Sequence, residues 1–282
     1  MNERNIKLLR IFFSISHIFP SPIIVRIAEN LFTTPLSSDR GGMELKLLKK
    51  AEQFDIPQGK NNTIATYRWG KKTDPVILFV HGWASTGTCF VKFINPLISK
   101  GYQVISFDSI AHGKTHGAKS ASITQWADTV TSVVKEIGKV HCIVGHSLGA
   151  GAIVIAAPSK LNVNKIVLIS PVTNIIKVTE QFAKIFLIPK KIIVGMHHYA
   201  WDKYKKSALK YGDNWHDIFK STIKVPTLII HDLDDSEIDI KDTRELAKRI
   251  PQLSLLETKK LGHRRILLNP SIIRTTIKFI SS

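Results

Sequence analysis

The chain has 282 residues, 44% of them apolar, which suits one large α/β domain with a full core and excludes bulk disorder. Lysine and arginine number 40 against 22 aspartates and glutamates, a net charge of +18. No dense basic block with interleaved aromatics and no nucleic-acid motif accompanies that excess, so it reads as composition and no nucleic-acid partner is expected. Cys89 and Cys142 are too few for a disulfide framework and lack metal-ligand spacing, which fits a reducing, cytoplasmic setting.

Residues 1–50 read as a basic helical extension broken by Pro20, Pro22, Pro35 and Gly41-Gly42. Its apolar run over residues 11–19 follows Lys7 and Arg10 in the manner of a signal-peptide core. Two serines and a histidine interrupt it, and it meets Pro20-Ser21-Pro22 with no cleavage site. The run is too short to span a bilayer. An amphipathic helix packed on the domain is expected, with contact to a membrane surface as the alternative.

Strand signals follow at 64–69, where apolar and polar residues alternate, and at 76–80, a continuous apolar run suited to a central parallel strand. Further short runs lie at 103–107, 141–144, 165–169, 227–230 and 253–256. Helical spacing occurs at about 88–100, 121–138, 148–158, 241–250 and 271–281. Alternating strands and helices imply βαβ units and a mostly parallel sheet flanked by helices. More than 50 residues separate the strands at 165–169 and 227–230. A structureless loop of that length would be unusual, so an inserted helical cap is expected.

The chemistry begins at Gly145-His146-Ser147-Leu148-Gly149. This is G-x-S-x-G between an apolar strand and a helix. There the tight turn lifts the serine Oγ clear of the sheet and the helix start supplies backbone N–H groups.

At this point the chain resembles the α/β-hydrolase fold family, over residues from about 60 to 282. His81-Gly82-Trp83 is similar to the family's HG-x loop. The resemblance implies an oxyanion hole formed by the N–H groups of Trp83 and Leu148. Residues 107–115 resemble the family's structural D-x-x-G-H-G-x-S turn, with Ala111 and Thr115 as departures, so Asp108 and His112 are expected to brace a loop. The family order of serine, acid, histidine makes His263 the base, the last histidine of the chain. No Asp or Glu occurs between Glu136 and Glu180, so the loop after the 165–169 strand offers no acid. The segment His231-Asp232-Leu233-Asp234-Asp235 resembles the pattern H-G-x-x-D. It implies Asp235 as acid, with Asp234 as the alternative and Asp232 in the usual glycine position.

The resemblance divides the chain into an extension at 1–50, a first core part at 51–171, a cap at 172–225 and a second core part at 226–282. The apolar density of the cap suggests a lipophilic acyl pocket. His197, His198 and His216 lack ligand spacing, and neither metal nor cofactor is expected. The expected function is a serine hydrolase that cleaves a small-molecule carboxylic ester through an acyl-enzyme. An amidase or aminopeptidase, a thioesterase, a C–C hydrolase and a non-catalytic ligand-binding member are the alternatives.

Overall fold

The computed structural model describes residues 3–16, 21–35, 40–157, 161–220 and 222–282. The end of the 11–19 run and Pro20 lie outside them. Eight strands form one sheet: β1 (Glu52–Gln58), β2 (Asn62–Trp69), β3 (Val76–Val80), β4 (Gln103–Phe107), β5 (Val140–His146), β6 (Val163–Ile169), β7 (Thr227–Asp232) and β8 (Leu253–Thr258). Their order is β1-β2-β4-β3-β5-β6-β7-β8. β1 pairs with β2, and β2 with β4, in antiparallel fashion; every later pairing is parallel.

Eleven α-helices accompany the sheet among the described residues. The first three, α1 (Glu3–Ser14), α2 (Ser21–Thr33) and α3 (Gly42–Leu48), precede β1. Next come α4 (Val91–Ile98), α5 (Ile123–Ile137) and α6 (Leu148–Ala156). Between β6 and β7 the chain forms α7 (Ile175–Phe186) and α8 (Lys190–Ala208), the expected inserted helices. Last are α9 (Ile240–Ala247), α10 (Gly262–Arg265) and α11 (Pro270–Ser281).

Alternation along the central strands sends side chains into two cores. Leu78, Val80, Ile143 and Ile166 meet Trp126 and Val130 of α5 and Ile153 of α6 on one face. Ile77, Phe79, Val144 and Val167 meet Phe93 of α4 and Ile273 and Ile277 of α11 on the other. Local capping sets several boundaries. Ser122 and Gln125 form a reciprocal capping box at α5, while Asn174, Asp239 and Asn269 cap α7, α9 and α11.

The structure adds to or shifts the sequence reading at three points. Residues 52–58 carry no strand signal in that reading, yet they form β1. This is an edge strand, and a proline such as Pro57 is tolerated there because one side of the backbone has no ladder to donate to. Pro22 does not break a helix but occupies the first turn of α2, where its missing N–H costs nothing. The helix read at 241–250 begins instead behind Asp239, whose side chain accepts from the Lys241 amide.

The N-terminal helices do not stand apart. Phe13, Ile24, Val25 and Ala28 share a third buried cluster with Ala183, Phe186, Ile192 and Met196 of α7 and α8. Arg10 Nε donates to the Ile185 carbonyl at 2.7 Å, and Lys203 pairs with the buried Glu29 at 2.8 Å.

Candidate active site

The carboxyl ends of the parallel strands converge on one region, as expected where ligands meet such sheets. β5 delivers Ser147 with φ +54° and ψ −121°, a left-handed conformation that costs a residue with a Cβ about 1–3 kcal/mol. Hydrogen bonds hold it there. The Ser147 amide donates to Ile169 O at 2.9 Å, and its carbonyl accepts from Gly151 N at 3.0 Å and Val172 N at 3.2 Å. The turn needs the glycine at 149, because a Cβ there would overlap the His81 carbonyl oxygen.

His263 lies on the single turn α10 after β8, rather than in a plain loop. Its Nε2 is 2.8 Å from Ser147 Oγ and its Nδ1 is 2.7 Å from Asp235 Oδ2. Asp235 follows β7, and its other oxygen accepts from the amides of Glu237 and Ile238, each at 2.9 Å. Burial alone would raise the Asp235 carboxyl, but hydrogen bonds from His231 and His263 and from the Ile238 amide outweigh it. The group is held well below the usual carboxylate range. Asp234 turns the other way, is exposed, and accepts from the Lys260 amide at 2.8 Å.

Two residues outside the sequence assignment fasten this arrangement. His146 Nε2 donates to the carbonyl of His263 at 2.9 Å. Burial, reinforced by the charge of His263, lowers the His146 pKa to about 3, so the ring stays a neutral donor. Asp232 ties the acid loop to the histidine loop: its oxygens accept from Asp234 N, Thr258 Oγ1, Leu261 N and Gly262 N at 2.7–3.1 Å. The substitution of Asp for the family glycine was its only signal in the sequence.

The HG-x loop lies directly against the serine, since a Cβ on Gly82 would stand 3.0 Å from Ser147 Cβ. Trp83 and Leu148 both line the cavity over Ser147. Leu148 is the first residue of α6, so its amide has no helical acceptor. The next amide after Trp83, that of Ala84, donates to His112 Nε2 at 3.1 Å, which pins the turn. Asp108 braces the same region by accepting from Tyr67 Oη, Gly87 N, Lys114 N and Arg40.

The cavity over Ser147 has a volume of about 730 Å³. Phe32 of α2, Ile175, Phe182 and Phe186 of α7, Met196 of α8 and Trp215 give it an apolar lining. Among the described residues no group of three or more His, Cys, Asp or Glu is placed to hold a metal. His197 and His198 instead sit on α8. No helix among them is long and apolar enough to cross a membrane.

Comparison with known proteins bears on the fold and the family. The Alpha/beta hydrolase family matches residues 77–271. A serine hydrolase-like protein of Dictyostelium discoideum is 33% identical over 114 residues, 38% of this chain and 32% of that protein. A bifunctional esterase/perhydrolase of Acinetobacter calcoaceticus is 32% identical over 117 residues, 40% of this chain and 42% of that protein. The chain therefore spans less than half the length of these curated relatives. Among solved structures, an esterase of Pyrococcus furiosus shares the fold with a TM-score of 0.67 and 20% identity, covering 88% of this chain and 96% of that one.

Proposed function

The chain belongs to the Alpha/beta hydrolase family, and on that premise we propose that it is a serine hydrolase that cleaves carboxylic esters with a lipophilic acyl group. The observation that carries the reading is the unbroken path from Ser147 Oγ through His263 to Asp235, at 2.8 and 2.7 Å.

In this reading Asp235 stays ionised and accepts from His263 Nδ1–H, which leaves Nε2 free to receive a proton. As Ser147 Oγ bonds to the acyl carbon, its proton passes to His263 Nε2. Negative charge gathers on the former carbonyl oxygen, and the N–H groups of Trp83 and Leu148 donate to it. Collapse of this adduct breaks the ester C–O bond, and the leaving alcohol takes the proton from His263. A water molecule then gives a proton to His263 and adds to the acyl carbon, releasing the acid and restoring Ser147. The apolar lining of the cavity supports an acyl group of some length rather than acetate.

The test is covalent labelling with a fluorophosphonate, located by mass spectrometry, followed by turnover of p-nitrophenyl esters of increasing acyl length. A single adduct on Ser147, absent in Ser147→Ala, and kcat/KM rising with chain length are expected. A folded protein that takes no label would overturn the reading in favour of a ligand-binding member of the family. Rapid turnover of an acyl amide or thioester with none of the ester would move the assignment to those bonds.

A further inference from the structure

The outer surface of the N-terminal helices is unusually apolar. Leu8 and Ile11 of α1 and Ile15, the residue just after it, share one face and are 44–56% exposed, while Phe13 faces inward. On α2, Ile23 and Ile27 stand one turn apart and are 55% and 40% exposed, opposite the buried Val25 and Ala28. Ile185 at the end of α7, Leu187 beyond it and Val194 on α8 are 49–55% exposed. These eight are most of the thirteen large hydrophobic side chains exposed among the described residues, yet they come from about a quarter of the chain.

Contacts knit these elements into one layer. Arg10 of α1 donates to Ile185 O. Val25 of α2 lies so close to Gly195 of α8 that a Cβ there would meet its Cγ2 at 2.5 Å, and Arg26 lies over the Tyr199 ring. The layer is also basic. Residues 3–33 and 175–208 hold eleven lysines and arginines against four carboxylates, and one of those four, Glu29, is buried and paired with Lys203.

Exposed isoleucines and leucines ringed by lysine and arginine are the chemistry of a helix that lies in a lipid headgroup layer. Apolar side chains enter the acyl boundary while the cations meet anionic headgroups. We propose that α1, α2 and the α7–α8 turn form a docking face for an anionic bilayer surface. The face adjoins the cavity, because Ile185 both lines that cavity and stands exposed beside Arg10. A lipophilic molecule leaving the bilayer would meet the cavity without crossing bulk water. Docking is independent of whether Ser147 turns over an ester.

The test is flotation of the full chain with vesicles of phosphatidylcholine alone, or with about a quarter phosphatidylglycerol, at low and high salt. The variants are the pair Ile11→Glu/Ile23→Glu and the pair Lys7→Gln/Lys184→Gln, with circular dichroism confirming that each folds. Flotation with anionic vesicles that weakens with salt is expected. Partition should fall about tenfold for each isoleucine replaced and about fivefold for each lysine. Absence of flotation on anionic vesicles, or flotation that the folded variants leave unchanged, would overturn the proposal. A concentration-dependent dimer abolished by the isoleucine pair, without vesicle binding, would assign the face to a second copy of the chain and overturn it equally.

Discussion

The Nε2–H of His146 donates to the backbone carbonyl of His263 at 2.9 Å, joining the residue before Ser147 to the loop that carries its hydrogen-bond partner. The position of His263 relative to Ser147 thus rests on a second imidazole that touches neither Ser147 Oγ nor Asp235. His146→Ala leaves the His263 carbonyl without this donor and opens space beside it. The expected loss in kcat is roughly tenfold to a hundredfold, the equivalent of about 1–3 kcal/mol, with KM little changed. His146→Gln, which keeps a donor, should recover part of it. Equal loss in both variants would contradict a positioning role.

Asp235 and Asp234 are adjacent but face different partners, so they should separate cleanly in kinetics. Asp235→Asn is expected to lower kcat on the order of 10⁴-fold by upsetting the tautomer of His263. Asp234→Asn removes a charge from an exposed loop while keeping a carbonyl oxygen that can accept from the Lys260 amide, and a change under about threefold is expected. Steady-state kinetics of the two variants settles which carboxylate serves the histidine.

Three buried histidines give the fold a characteristic response to acid. Burial lowers the pKa of His81, His112 and His146, the last two to about 3. In the unfolded chain each ring binds a proton near pH 6.5. Between these values the unfolded state holds more protons, so the stabilisation is complete above about pH 6.5 and declines as pH falls toward 3. His112 and His146 each contribute a slope of about 1.4 kcal/mol per pH unit in that window. Urea unfolding at pH 7, 6 and 5 should show falling stability before carboxylates titrate. A midpoint that does not change from pH 7 to 5 would refute this.

Asp108, just after β4, accepts from Tyr67 Oη, Gly87 N and Lys114 N, and Arg40 is its charged partner. Burial disfavours its ionised form, but Arg40, Tyr67 and the Lys114 amide more than compensate and keep its pKa below the usual carboxylate value. Asp108→Asn leaves the Arg40 guanidinium without its counter-charge in a largely buried site. A loss of about 3–5 kcal/mol is expected by chemical denaturation. A variant within 1 kcal/mol of the parent protein would show that Arg40 finds water instead.

The parts of this molecule that the sequence displays are those governed by short-range pattern. A continuous apolar run marks β3 and shorter runs mark β4 to β8, and the Gly145–Gly149 motif marks the turn after β5. Of the three residues selected by motif and chain order, His263 lies within hydrogen-bond distance of both Ser147 and Asp235. Other features depend on partners remote in the chain. The packing of α1 and α2 on α7 and α8 runs through pairs such as Arg10 with Ile185 and Glu29 with Lys203, about 175 positions apart. β1 carries only Phe54 and Ile56 as alternating apolar side chains before Pro57, and Ile56 alone is buried, which is too short a period-two signal to mark a strand. Asp232 and His146 act through backbone atoms of a distant loop, which no side-chain pattern reveals.

The spacing of Ser147 and His263, 116 residues apart in the chain, has a consequence during synthesis. A ribosome releases the serine turn well before it makes the histidine, and the carboxylate at 235 also comes late. While the chain grows, the strained turn can form once β3 to β6 are made, without a base beside it. A nascent or prematurely terminated polypeptide would carry a serine hydroxyl of ordinary alcohol reactivity, inert toward the esters around it. In the proposed function, reactivity arrives only when β7 and β8 dock, so the docking of these two strands is itself the activating event.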